Sequence, residues 1–330
     1  MTAPGGPRRG GARGEELQVP PADFRSYYGR PVLKAPTWRH DIPAYLFTGG
    51  LAAGSSLMAA GADARGLDDL RRAGRTTSLL ALGASTYFLV NDLGRPERFL
   101  NMLRVVKPTS PMSMGTWILA AFGPAAGLAA AAEAAPLLPE RGPLGAVRRV
   151  LPGAGRVAGW SAAALAPALA TYTAVLLADT SVPAWNAARR VLQFVFGGSA
   201  LAAGAGAGLL GAPPSQTAAV RRMALAGVAA ELVAERAVET RLGLASEAYH
   251  EPGPHRLLRA SRVLSLTGVA VAYLGRRSRA VSGVAGLALL AGSVATRLGV
   301  YEGGVVSAKD PRYTVVPQRE RLSEGRPARG

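Results

Sequence analysis

Val191-Leu-Gln-Phe-Val-Phe-Gly-Gly-Ser-Ala-Leu-Ala-Ala-Gly-Ala-Gly-Ala-Gly-Leu-Leu-Gly211 runs without one charged side chain. As an α-helix it reaches about 30 Å, the hydrocarbon thickness of a bilayer. From Gly197 onward it is almost all Gly and Ala, the composition that lets neighbouring membrane helices approach closely. Similar uncharged runs lie on both sides: Ile42–Ala62, Thr76–Asn91, Met112–Ala132 and Val157–Ala178 before it, Val263–Gly275 and Ala280–Thr296 after it. The run from Val263 is short, and reaches back to Leu257 if Arg259 and Arg262 stretch their charged ends toward water. Thr217–Arg241 is apolar but carries Glu231, Glu235, Arg236 and Glu239, and reads as a span with a polar face. The expectation is an all-α integral membrane protein of about eight transmembrane helices in two four-helix bundles, with both termini on one side. Its organisation reads as a flexible basic tail (1–35), a first bundle (36–180), a second bundle (181–302) and a C-terminal tail (303–330).

Charge and composition fit that reading. Lys and Arg number 38 against 21 Asp and Glu, a net charge of +17 that first suggests a nucleic-acid partner. The cations gather between the apolar runs, where lipid headgroups favour them, so the partner implied is membrane lipid and no nucleic acid. The chain has no cysteine, which excludes disulfides, thiolate-bound zinc and a cysteine-held iron–sulfur cluster within it. Its three histidines, His40, His250 and His255, all fall outside the middle of the spans, so a bis-histidine haem is not expected. No apolar core follows Arg8 and Arg9, so the N-terminal stretch does not read as a cleavable signal.

Up-and-down threading sets the depth of the polar residues. His40, Asp41 and Tyr45 open the first span; Asn91 and Asp92 close the second, followed by Arg95; Tyr172 lies about two turns before the end of the fourth. All of them come to the membrane face that holds both termini. Acid, histidine, tyrosine and arginine at the edge of the hydrocarbon are what a quinone head requires: donors for two carbonyls and acceptors for two protons. His40 and Asp41 equally suit a plain helix start, and Asp92 with Arg95 equally suits a salt bridge holding the loop. Trp38, Trp117 and Trp185 read as an interfacial aromatic belt.

Five stretches carry a resemblance: Tyr45-Leu-Phe-Thr-Gly-Gly-Leu-Ala-Ala-Gly-Ser55, Asp92-Leu-Gly-Arg-Pro96, Ser110-Pro-Met-Ser113 with Trp117, Tyr172-Thr-Ala-Val-Leu-Leu177 and Ser181-Val-Pro-Ala-Trp-Asn186. In this order, with eight spans, they resemble the NrfD/polysulfide reductase membrane-anchor family over roughly residues 36–316, and Arg297-Leu-Gly-Val-Tyr-Glu302 is similar to that family's last helix. The resemblance implies a multi-pass subunit of a respiratory complex in the bacterial plasma membrane. It implies electron exchange between menaquinone and a ferredoxin-like iron–sulfur subunit that serves a molybdopterin catalytic subunit, with no haem. Tyr172 matches the family's tyrosine, His40 or Asp41 stands for its histidine, and Gly49 and Gly50 would line the ring's approach. The competing class is a polytopic secondary transporter with no redox partner.

Glu231, Glu235 and Glu239 recur every four residues and so form one stripe on a helix. Two readings stay open. One is a proton path with Arg297, because acids inside a membrane are costly and tend to be functional. The other is a polar seam paired with Arg236, Arg241 or Arg297.

Overall fold

The computed structural model describes residues 31–36, 38 and 40–323. The expected tail, with Phe24, Tyr27 and Tyr28, therefore lies largely outside the described residues. Those described are helical throughout the body of the chain: α1 (Asp41–Asp63), α2 (Asp68–Asp92), α3 (Arg98–Met102), α4 (Pro111–Ala132), α5 (Gly142–Ala178), α6 (Pro183–Ala187), α7 (Leu192–Gly211), α8 (Ala218–Arg241), α9 (Pro252–Leu274), α10 (Arg279–Lys309) and α11 (Arg312–Ser323). Five are long and apolar enough to cross a membrane: α4, α5, α7, α9 and α10. Helices α1, α2 and α8 are of similar length, with 23, 25 and 24 residues. Helices α2 and α8 are less apolar because they carry charges.

Helix starts follow local chemistry. Ser110 caps α4 by accepting from the Ser113 amide at 3.4 Å, with Pro111 in the first turn. The Ser113 hydroxyl donates to the Val105 carbonyl and accepts from the Lys107 amide. The Ser-Pro-Met-Ser motif thus folds the loop onto the start of α4. Helix α5 starts at Gly142-Pro143 and runs 37 residues, about 55 Å, beginning well before the uncharged run at Val157. Helix α10 passes residue 302 and continues to Lys309, and α11 follows it, so residues 303–323 are mostly helical.

The long helices pair in chain order, α1 on α2, α4 on α5, α7 on α8 and α9 on α10. Helix α7 sits centrally, touching α1, α5, α8 and α10. Small residues make this possible. A Cβ at Gly54 would stand 2.0 Å from the Ala200 carbonyl oxygen, and one at Gly204 would stand 2.3 Å from the Gly54 carbonyl carbon. The same reciprocal approach joins Gly198 to Gly227 on α8, and Gly206 to Gly286 on α10.

Trp185 corrects the belt expectation. It is fully buried, stacks with Trp38 at 6.0 Å, lies 5.8 Å from Tyr301 and donates its indole N–H to the Val300 carbonyl at 2.8 Å. Its ring occupies the space beside Gly304. The short helix α6 carries it inward, held by Ala184 N–H to the Ser307 hydroxyl and by the Asn186 amide to the Ala178 carbonyl. Trp117 is partly exposed, as a belt residue would be.

Candidate functional site

Asp41, Tyr45 and Gly49 follow at four-residue spacing, so α1 presents them on one face. At the top of that face Asp41 Oδ2 accepts from Asn91 Nδ2 at 3.0 Å, joining the start of α1 to the end of α2. His40 is exposed and occupies the N-cap position without a side-chain capping bond. Asp92, at the end of α2, lies close enough to Asp41 to feel its charge. Arg95 is exposed and forms no ion pair with Asp92, so the loop is not held by that pair. What fastens it instead is the network from Ser113 and Trp117 to Val105.

One turn deeper, Tyr45 and Tyr172 meet edge to face at 6.4 Å, with 2% and 8% of their surfaces exposed. Tyr172 rests against Gly115 of α4, where a Cβ would be 2.3 Å from Cε2. Its hydroxyl is buried and has no hydrogen-bond partner. Beside Gly49 stands Ser85 of α2, also buried with an unpartnered hydroxyl; a Cβ at position 49 would meet it at 3.3 Å. Buried hydroxyls seldom go unpaired, and Tyr172 and Ser85 each present one without a protein partner. The two unpartnered hydroxyls and the Tyr45 and Tyr172 rings lie where α1, α2, α4 and α5 meet. Ser85 has no signal in the sequence beyond a lone polar residue in an apolar run.

Gly50 has another neighbour. It faces the Arg297 guanidinium, whose Nη2 would lie 2.8 Å from a Cβ there. Arg297 is 1% exposed, donates Nη2 to the Phe196 carbonyl at 2.8 Å and sits 3.8 Å from the Phe196 ring centroid. Its Nε and Nη1 have no partner. The structure thus separates the two glycines, Gly49 toward the tyrosines and Gly50 toward the arginine.

The acid stripe of α8 runs toward the same face. Glu231 is buried and accepts from the Thr296 hydroxyl, which bonds in turn with Ser261 at 2.6 Å. Glu235 and Glu239 share Arg262 of α9, with Arg262 Nε 2.8 Å from Glu235 Oε2, and Arg236 adds a bond of 3.1 Å to Glu239. Arg262 was legible only as a flanking cation, since its partners lie in another helix. Glu231 Oε2 and Glu235 Oε1 remain buried without partners.

The opposite face carries an ionic cluster that no motif announces. Glu133 at the end of α4 receives Arg71 Nε and Arg75 Nη1, each at 2.8 Å, and Asp63 at the end of α1 receives Arg156 Nε at 3.0 Å. Arg75 also lies 3.9 Å from Asp63. These pairs tie the ends of α1, α2 and α4 to one another and to the first half of α5. Among the described residues no group of three metal-ligating side chains occurs.

The search of curated proteins finds no match to this chain. The family model described as polysulphide reductase, NrfD, matches residues 33–213, which include both tyrosines, Asp41, Asn91 and the Ser110–Ser113 cap. With more than half of its length matched, and with membrane-crossing helices around that site, the chain belongs to the NrfD family.

Proposed function

We propose that this multi-pass membrane protein is the quinone-interacting subunit of a respiratory oxidoreductase in the bacterial plasma membrane. In this reading α1, α2, α4, α5, α7, α8, α9 and α10 are its eight spans, arranged as two four-helix bundles. It exchanges electrons and protons between menaquinone or menaquinol and a ferredoxin-like iron–sulfur subunit of a molybdopterin enzyme. The family supports the coarse part of this, a membrane subunit that interacts with quinone within an oxidoreductase complex. The observation that carries the site is the unpartnered Tyr172 hydroxyl, buried against Tyr45 and Gly115.

The chain's own residues have these tasks. Tyr172 and Ser85 donate hydrogen bonds to the head, and Tyr45 packs against its plane. Asp41, oriented by Asn91, or His40 at the rim accepts and passes a proton to water. The bound quinone supplies the two-electron chemistry that no side chain of this cysteine-free protein offers. The buried packing of α1, α4 and α5 around Tyr45 and Tyr172 keeps water from the Tyr172 hydroxyl. The partner docks on the face of Asp41, His40 and the Arg95–Lys107 loop.

For the α8 stripe we read Glu231, Glu235 and Glu239, with Arg297 at its inner end, as a proton path. The free oxygens of Glu231 and Glu235 favour it; the pairing of Glu235 and Glu239 with Arg262 favours a stabilising seam. Glu235→Gln separates them, because a path loses proton movement and a seam loses stability.

The test of the main reading is electron transfer from menaquinol to the partner in membranes carrying Tyr172→Phe or Asp41→Asn. Both are expected to lose most of it while assembling normally. Full retention in both would sink the assignment. Co-purification in mild detergent is expected to bring down an iron–sulfur protein and bound quinone.

A further inference from the structure

A groove of about 260 Å³ opens on the face opposite Asp41, between the end of α1 and the first turns of α2 and α8. Helices α1 and α8 each pack on α7 rather than closely on each other, which leaves this wedge between them. Its floor is buried and apolar, made by Met58, Leu70 and Val220. Leu57 and Met223 form its half-buried sides. Gly61, one turn above Leu57 on the same face of α1, keeps the space open: a Cβ there would meet nothing nearer than Arg65 Nη1 at 3.9 Å. The groove follows the last two turns of α1, about 10 Å into the apolar span. At about 30 Å³ for a water-sized group, it holds a chain of about eight methylenes.

Two arginines stand at the mouth, Arg65 from the turn after α1 and Arg222 from α8, both exposed. Arg65 lies back along α1, with Nη1 3.3 Å from the Gly61 carbonyl. Neither arginine pairs with an acid among the described residues, because the nearby acids are engaged elsewhere. Asp63 receives Arg156 at 3.0 Å, Asp68 holds Arg71, and Asp69 accepts from Gln216 Nε2 at 2.9 Å. Positive charge at the mouth is therefore not cancelled within the chain. An apolar groove capped by two such cations at the edge of the hydrocarbon is complementary to a molecule with a chain below and an anion above.

We propose that this groove binds one anionic phospholipid, with an acyl segment along Leu57, Met58 and Met223 and the headgroup phosphate between Arg65 and Arg222. Basic pockets between membrane helices suit such headgroups, and the guanidinium fork matches phosphate oxygens. A zwitterionic lipid offers the same chain but brings its own cation against the arginines. The neutral tail of a quinone offers a chain and no anion. The inference needs only that the chain spans a membrane and does not depend on the quinone reading, since the groove lies at the other end of α1 from Asp41 and Tyr45.

The test is native mass spectrometry of the full-length protein, delipidated in mild detergent and titrated with phosphatidylglycerol or with phosphatidylcholine of the same chains. One phosphatidylglycerol is expected to bind about thirtyfold tighter than phosphatidylcholine, the share of two arginines at a membrane surface. The double variant Arg65→Gln, Arg222→Gln breaks no ion pair, and is expected to bring phosphatidylglycerol down to the phosphatidylcholine level. Gly61→Leu fills the groove and is expected to weaken both lipids by about tenfold. Quinol-linked electron transfer is expected to persist in both proteins, which shows that they fold. Equal affinity for the two lipids in the unaltered protein, or a double variant that keeps the preference, would overturn the proposal. So would displacement of the lipid by an equal concentration of glycerol phosphate, which has the anion without the chain, or of a long-chain quinone, which has the chain without the anion.

Discussion

The Tyr172 ring fills the space that a side chain at Gly115 would need, with Cε2 2.3 Å and Cδ2 2.7 Å from where a Cβ would stand. Gly115→Ala must therefore push the tyrosine off its seat. Overpacking of this kind costs about 1–3 kcal/mol. The expected outcome is a lowered melting temperature in detergent, with quinol-linked electron transfer reduced as strongly as by Tyr172→Phe. Unchanged melting and unchanged transfer would show that the ring has somewhere else to go.

The Glu133 cluster should behave as a buried ion pair. Glu133 is 10% exposed and Arg75 is 7% exposed. Glu133→Gln removes the carboxylate that Arg71, Arg72 and Arg75 share, and a broken buried pair costs about 3–5 kcal/mol. Thermal unfolding of the variant should start at a clearly lower temperature. Glu133→Leu combined with Arg75→Met should recover part of the loss, since it removes the two most buried charges together while Arg71 keeps Asp68.

Trp185 is a core residue and should respond as one. Truncation to Ala opens a large cavity and should cost about 3–5 kcal/mol. Trp185→Phe keeps most of the packing and loses the bond to the Val300 carbonyl, for about 1 kcal/mol. Gly304→Ala should be as damaging as the truncation, because its Cβ would lie 1.9 Å from the indole. Melting curves of the three proteins give the ranking.

The sequence made the helices plain because apolar runs of membrane length are rare by chance. Asp41, Tyr45, Asn91 and Tyr172 were legible as one cluster because antiparallel threading fixes depth. Tertiary pairing was less accessible. Arg262 meets Glu235 across 27 residues, and Glu133 meets Arg71 across 62. No periodicity links such positions. Trp185 misled for a different reason. Its flanking loop places it at the rim by depth, and only the turn of α6 directs it inward. Gly49 and Gly50 look like one feature on paper, yet successive residues on a helix point 100° apart and so serve different neighbours.

The most monotonous stretch of the chain is also its least interchangeable. Between Gly198 and Gly208, each glycine meets a different object: the α8 backbone at Glu231, the α1 backbone at Gly54, the α10 carbonyl of Gly286 and the sulfur of Met58. Alanine, the commonest residue around them, is the smallest possible change, yet at Gly198, Gly204 and Gly206 its Cβ would stand 2.3 to 2.8 Å from backbone atoms, while at Gly208 only the flexible Met58 side chain must move. What passes for low complexity is therefore a dense address code, written in the absence of a methyl group. A mutational scan of residues 192–211 should find its sharpest intolerance where the composition looks most forgiving.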